Sequence, residues 1–275
     1  MEENIKIFEY NNLEIKEQKL LIEALKIDIN KKKIISFVGG GGKSSLIYEL
    51  GCELSRLGKK VIITTTTHMF MPEDNVVITG KKDDIIKLLY SENMITVGML
   101  CEEKDIKLKY NQLRNKKTIN EIEEGRLKKI SGLPKEMDVS LIELADFLLV
   151  EADGSKRLPL KIPAEHEPVI LEGSNLVVGV CGIDAIGKSI KEKCHRSNLV
   201  SKFLDTDEQH IINPHDIAKI LSSFHGQRKN VECNYKVIIN KADNIREIEK
   251  AKDISNELSD FGIHETIITT FKDQL

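Results

Sequence analysis

Apolar positions along the chain follow two rhythms. Short continuous runs at 34–38, 61–63, 75–79, 95–100, 147–151, 176–181, 235–240 and 266–270 predict buried strands. Segments 82–90, 136–145, 214–223 and 245–259 repeat at helical spacing. Leu13 to Ile27 also shows near-helical spacing and predicts an amphipathic helix running into the basic turn Asn30 to Lys33. From Ser44 onward Leu46, Ile47, Leu50, Leu54 and Leu57 share one helical face, and Gly58 is placed to end that helix. Strands alternating with helices predict an α/β fold, a largely parallel sheet flanked by helices. Residues 102–133, polar and basic, read as a small insertion or lid within one domain spanning 1–275.

Composition narrows the class. The 275 residues are 40% hydrophobic, enough for a sizeable core, which excludes disorder as the main state. With 41 Lys+Arg against 44 Asp+Glu and no Trp, a dedicated nucleic-acid binder is not expected. No run of 18 apolar residues is present and the start, Met1-Glu2-Glu3, lacks a leader pattern, so neither a membrane partner nor export is expected. Five cysteines without a CxxC pair suit a reducing compartment, and the reading is a cytoplasmic protein.

The strongest chemical signal is Phe37-Val38-Gly39-Gly40-Gly41-Gly42-Lys43-Ser44-Ser45 between a strand and a helix. Small residues let successive backbone N–H groups curl around phosphate oxygens, Lys43 supplies a point charge, and the Ser44 hydroxyl is placed to ligate Mg²⁺. The helix N-terminus adds positive potential toward the same anion. Phe37 stands where the strict P-loop pattern has its first glycine. The expected ligand is therefore GTP or ATP with Mg²⁺.

Phe147 to Val150 runs straight into Glu151-Ala152-Asp153-Gly154, an apolar strand ending in acids, as in a Walker B element. Residues two apart on a strand share a face, so both carboxylates are expected to approach the P-loop. Asp153 is assigned to the metal and Glu151 to an attacking water, roles open to exchange. Thr64 to Thr67 close the second strand, where a phosphate or Mg²⁺ contact is common, and Thr65 is taken as the candidate. Asn240-Lys241-Ala242-Asp243 is similar to the N-K-x-D tetrad that reads guanine, at the C-terminal end of a predicted strand where α/β sheets bind ligands.

After Asp153 the stretch from Ser155 to Pro168 carries three prolines, as expected of an extended loop over a site. Lys156, Arg157 and Lys161 are candidates for an anionic substrate, and His166 and Glu167 for proton transfer or metal binding. Cys194-His195-Arg196 offers Arg196 as a further anion contact, while a metal carrier using Cys194 and His195 is the weakest reading.

Taken together, FVGGGGKSSLIYEL, VIITTTTHMF, LLVEADGSKRLPLKIPAEHEPVI, GVCGIDAIGK and IINKAD resemble the YqeC-type selenium-dependent hydroxylase accessory proteins, in order from about residue 20 to 245. The resemblance implies a P-loop fold and a nucleotide-binding factor in maturing selenium-dependent molybdenum hydroxylases, enzymes similar to xanthine dehydrogenase. It also implies a molybdenum hydroxylase or another maturation protein as partner, and a molybdopterin-type cofactor as ligand or substrate. The family's loop reads Gly-Ala-Gly-Gly-Lys-Thr-Thr, so Gly40 here replaces Ala and Ser44-Ser45 replace threonines. Two activities are compatible with these residues: Mg²⁺-dependent NTP hydrolysis or phosphoryl transfer, and non-hydrolytic carriage of the cofactor or a selenium species.

Overall fold

Ile34, Ile35, Phe37 and Val38 are all buried although they alternate between two faces of one strand, which requires helices over both sides of a parallel sheet. The computed structural model describes residues 5–11, 13–101, 128–134 and 140–271. In chain order its first half runs β1 (Lys6–Asn11), β2 (Glu14–Gln18), α1 (Leu21–Ala24), β3 (Lys33–Gly39), α2 (Lys43–Arg56), β4 (Val61–Thr65) and β5 (His68–Phe70). Next come β6 (Val76–Val77), α3 (Lys82–Ser91), β7 (Met94–Val97), β8 (Met99–Leu100), β9 (Lys129–Ser131) and, after a short helix Leu141–Leu144, β10 (Phe147–Glu151). The remaining strands are β11 (Leu160–Lys161), β12 (Leu176–Gly182), β13 (Cys194–His195), β14 (Asn234–Asn240) and β15 (Glu265–Thr270). Helices Ser197–Leu204, Pro214–Ser222 and Ile245–Asp260 lie between the later strands.

Ten strands form one sheet in the order β2-β1-β15-β14-β12-β3-β10-β4-β7-β6. Every pairing from β15 to β6 is parallel, and the two antiparallel pairings of this sheet are β1 with β15 and β1 with β2 at the edge. This is an α/β fold compatible with the P-loop NTPase type. Among the described residues no helix is long and apolar enough to cross a membrane.

Helix α2 packs Leu46, Ile47, Leu50 and Leu54, all fully buried, against Ile35, Phe37, Ile63 and Leu149 on one face of the sheet. Each contributes roughly 1.5–3 kcal/mol by leaving water. Gly58, at φ +77°, ends the helix as expected, but Leu57 is about half exposed because the chain has already turned away there. The opposite face is covered by helices Pro214–Ser222 and Ile245–Asp260, whose Ile217, Leu221, Ile254 and Leu258 meet Val237 and Ile239.

The helix expected over Leu13 to Ile27 does not form. Residues 14–18 make the exposed edge strand β2, Leu13 turns the hairpin at φ +68°, and only the single turn α1 is helical. Glu53 of α2 explains that turn, because its carboxylate accepts the Leu21 and Ile22 N–H groups at 2.7 and 2.9 Å. The 75–79 run shortens to β6, and 95–100 divides at Gly98, where a Cβ would press on Ser131 and Ile130 of β9. The expected helix 136–145 is described only from residue 140 and is helical over Leu141–Leu144. Most of the 102–133 insertion lies outside the described residues; its end supplies β9, which pairs with β5 and β8.

Candidate functional site

The glycine run is dictated by crowding. Gly39, Gly41 and Gly42 have φ of +97°, +78° and +116°, conformations that side chains rarely adopt. A Cβ on Gly40 would run into the Leu158 carbonyl, and one on Gly42 into the Asn240 amide. The Leu158 contact gives a physical reason for glycine at position 40 of this chain. Gly40 N–H donates to Val180 O at 2.9 Å and Gly41 N–H to Leu158 O at 3.1 Å, while Gly39 N–H donates to the Asp153 carboxylate at 3.1 Å. Three loop donors are thus satisfied within the protein, and the loop residues that line the cavity are Gly42 to Ser45, at the start of α2.

Glu151 at the end of β10 and Asp153 two residues beyond it both reach the loop. Asp153, 2% exposed, forms ion pairs with Lys43 at 3.1 Å and Lys161 at 3.0 Å, and it does not line the cavity. Glu151 does line it, accepting a 2.6 Å hydrogen bond from Ser44 Oγ. Burial raises the Glu151 carboxyl above its ordinary range, opposed by Lys43 and the Ser44 hydroxyl. A hydroxyl and a carboxylate side by side on a cavity wall form the hard-oxygen pair that suits Mg²⁺. Among the described residues no group of three or more His, Cys, Asp or Glu could hold a metal ion. Further ligands for a cation here would be water and phosphate oxygens.

Thr65 is fully buried, donating to Glu151 O at 2.8 Å and accepting from Thr67 N–H at 3.0 Å, so it braces β4 against β10. Its neighbours Thr66 and Thr67 line the cavity instead. Asn240 is a brace of the same kind. It donates to Gly41 O at 2.8 Å and accepts from Thr269 Oγ1 at 2.9 Å, tying the loop to β14 and β15. Lys241, with φ +67°, lines the cavity and pairs with Asp184 at 3.3 Å. Asp243 lies outside the cavity lining, its Oδ1 accepting from Thr270 Oγ1 at 2.6 Å.

Parallel pairing of β11 with β13 joins the two polar clusters that lie far apart in sequence, placing Lys161 opposite His195. Lys161, with no exposed surface, is not a cavity contact: its ammonium donates to Gly154 O at 2.8 Å and pairs with Glu167 at 2.6 Å as well as with Asp153. Arg196 grips Glu167 with both nitrogens, at 2.5 and 2.9 Å. An unbroken line of alternating charge therefore runs from Lys43 through Asp153, Lys161 and Glu167 to Arg196. Burial alone would raise the Glu167 carboxyl, but Arg196 and Lys161 outweigh it and take it to about 2. His195 is held at about 4 by burial and the nearby Arg196, Lys161 and Lys156 charges, so its imidazole is neutral at pH 7. Cys194, which its neighbour His195 made a carrier candidate, is buried, and its thiol is pushed up to about 12 by burial and the Asp216 charge. It is not a thiolate at neutral pH.

A cavity of about 880 Å³ is bounded by Gly42 to Ser45, Thr66 to Phe70, Lys129, Ser131 to Leu133, Glu151, Gly154 to Arg157, His166, Glu167, Val169, His195, Arg196 and Lys241. Lys156, Arg157, Arg196 and Lys241 all line it with φ between +50° and +67°. A left-handed backbone costs a residue other than glycine roughly 1–2 kcal/mol, and such costs concentrate at functional sites. The sequence pointed to Lys156, Arg157, His166, Glu167 and Arg196; His68, Phe70 and Lys129 come to the cavity only through the β5–β9 pairing.

With this geometry in view, the comparisons agree on one lineage. The family described as YqeC protein matches residues 35–198, which includes the glycine loop, Glu151 and Asp153, and the Lys161–Glu167–Arg196 network. "Uncharacterized protein YqeC" of Escherichia coli (strain K12) is 31% identical over 214 residues, covering 76% of each chain. The chain belongs to the YqeC family.

Proposed function

We propose that this protein is a Mg²⁺-dependent, nucleotide-binding accessory factor of the cytoplasm that serves the maturation of selenium-dependent molybdenum hydroxylases. The observation carrying the nucleotide reading is Lys43, Ser44 and Glu151 set together at the head of α2 on the wall of the cavity. The phosphates lie against Gly42 to Ser45, with Lys43 as their point charge and Ser44 and Glu151 holding Mg²⁺. In this reading Glu151 takes the metal role, because Asp153 is enclosed by Gly39 N–H, Lys43 and Lys161. Bound Mg²⁺ would neutralise phosphate charge during hydrolysis or phosphoryl transfer.

GTP is the nucleotide this reading favours. What supports guanine is the Asn240-Lys241-Ala242-Asp243 tetrad at the end of β14, with Asp243 beyond the cavity lining and its Oδ1 held by Thr270; a carboxylate in that role accepts from the two adjacent N–H donors on guanine's edge. Adenine offers a donor beside an acceptor there and cannot satisfy it. Titration of fluorescent GTP and ATP analogues with Mg²⁺ tests both points. Tight GTP binding, weakened in Lys43→Ala and in Asp243→Asn, is expected; ATP preference indifferent to Asp243→Asn would remove the guanine assignment.

One observation favours a second reading, a carrier that holds a molybdopterin-type cofactor or a selenium species without cleaving nucleotide. Three loop amides and Lys43 are already engaged within the protein. Nucleotide hydrolysis abolished by Lys43→Ala would exclude the carrier.

A further inference from the structure

The nucleotide reading asks Lys43 to give its charge to a phosphate, yet that charge is already engaged inside the protein. The side chain is 3% exposed; its ammonium donates to Gly39 O at 2.6 Å and pairs with Asp153 Oδ1 at 3.1 Å. Taking one partner out of a buried ion pair is costly, because the other charge is left uncompensated. What becomes of Asp153 therefore decides whether Lys43 is available.

Asp153 has a second cation in place. Lys161 reaches its Oδ2 at 3.0 Å, and Gly39 N–H lies 3.1 Å from each oxygen. Lys161 has no exposed surface, and its three N–H groups meet three acceptors: Asp153, Glu167 and Gly154 O. The line from Lys43 to Arg196 holds Lys43, Lys161 and Arg196 against Asp153 and Glu167, a surplus of one positive charge. Glu151 stands outside this line, on Ser44, and the nucleotide reading gives it to Mg²⁺. With Lys43 withdrawn, the rest divides into two balanced pairs, Asp153 with Lys161 and Glu167 with Arg196. Arg196 holds Glu167 through two nitrogens, so Glu167 keeps a partner when Lys161 commits to Asp153.

We infer that Lys161 is a positioning residue of the phosphate site. It stands in for Lys43 on Asp153, so that the P-loop lysine leaves for a phosphate without stranding a buried carboxylate. The inference rests on the nucleotide reading and deepens it: the charge offered to the ligand is the surplus of the whole line, delivered at its Lys43 end.

A double-mutant cycle on affinity for a fluorescent GTP analogue tests this, with Mg²⁺ and full-length protein, at a temperature where circular dichroism shows every variant folded. Lys161→Met should weaken binding about tenfold or more, the worth of one charge-assisted hydrogen bond, because Asp153 then depends on Lys43. The same substitution in Asp153→Asn protein should change affinity by less than about twofold, since no carboxylate is left to retain Lys43. A lysine acting only through its long-range field would lower affinity by the same factor in both backgrounds, and that result overturns the inference. Nucleotide lost in Asp153→Asn alone overturns it too, by placing that carboxylate on the ligand. Lys161→Gln, which keeps one donor for Asp153, is the second variant if Lys161→Met does not fold, and the same pattern is expected of it. Wild-type protein that binds no nucleotide overturns the nucleotide reading and the inference together; equal losses beside intact wild-type binding overturn the inference alone.

Discussion

Replacing Glu167 by glutamine removes one charge from between Lys161 and Arg196 in the line of five and leaves the shape nearly unchanged. Lys161 and Arg196 then keep their charges without the carboxylate that both of them grip. The magnitude follows from linkage. The carboxyl titrates at about 2 in the folded chain against 4.5 ordinarily. At 1.36 kcal/mol per pH unit that difference amounts to about 3 kcal/mol. A carboxyl lowered on folding contributes stability that is fully present above its unfolded value and is lost as pH falls toward its folded one. Wild type should therefore exceed Glu167→Gln by about 3 kcal/mol at pH 7 and by only about half of that near pH 3. Urea denaturation of both proteins across this range measures the gap directly. A gap that stays constant with pH would falsify the assignment of Glu167's stabilising role to its charge, and would point to lost packing or a single hydrogen bond.

Other outcomes follow from the same geometry. Glu53 has the opposite sign: burial raises its carboxyl to about 7 despite the Leu21 and Ile22 N–H bonds, so its contribution weakens as pH rises from 4.5 toward 7. Glu53→Gln should flatten that limb of the stability curve in the same urea series. Lys161→Met should cost about 3–5 kcal/mol at neutral pH, because it strands Asp153 and Glu167 as buried charges; a loss below about 1 kcal/mol in calorimetry would mean that water reaches them. Gly58→Ala meets only open space and should cost about 1 kcal/mol from its left-handed backbone alone. Gly41→Ala adds a collision with the Gly182 backbone and should lower the melting temperature more; equal shifts would show that the loop yields to the added methyl.

The parallel sheet is legible in the chain because a strand covered on both faces is mostly apolar, and Ile34 to Val38, Phe147 to Val150 and Val237 to Ile239 display that without help from elsewhere. Helix α2 is equally open to reading, since its stripe is long and a glycine marks its end. The N-terminal hairpin is not. Edge strand β2 buries little, so Glu14 to Gln18 carries no apolar signature, and α1 exists because Glu53, distant in sequence, caps it. At the site the division has the same cause. Residue type and local spacing mark which groups carry chemistry: Gly39 to Ser45, Glu151, Asp153, the Lys156 to Glu167 loop, Asn240 to Asp243. What each group touches depends on which strands lie side by side. The sheet order sets Glu151 on Ser44 and turns Asp153 toward two lysines. The β11–β13 pairing buries Lys161 and carries Arg196 to Glu167, and the β5–β9 pairing adds Lys129 and Phe70 to the wall. Those pairings are long-range and are decided by the packing of the whole sheet and its helices, which no short stretch of the chain encodes.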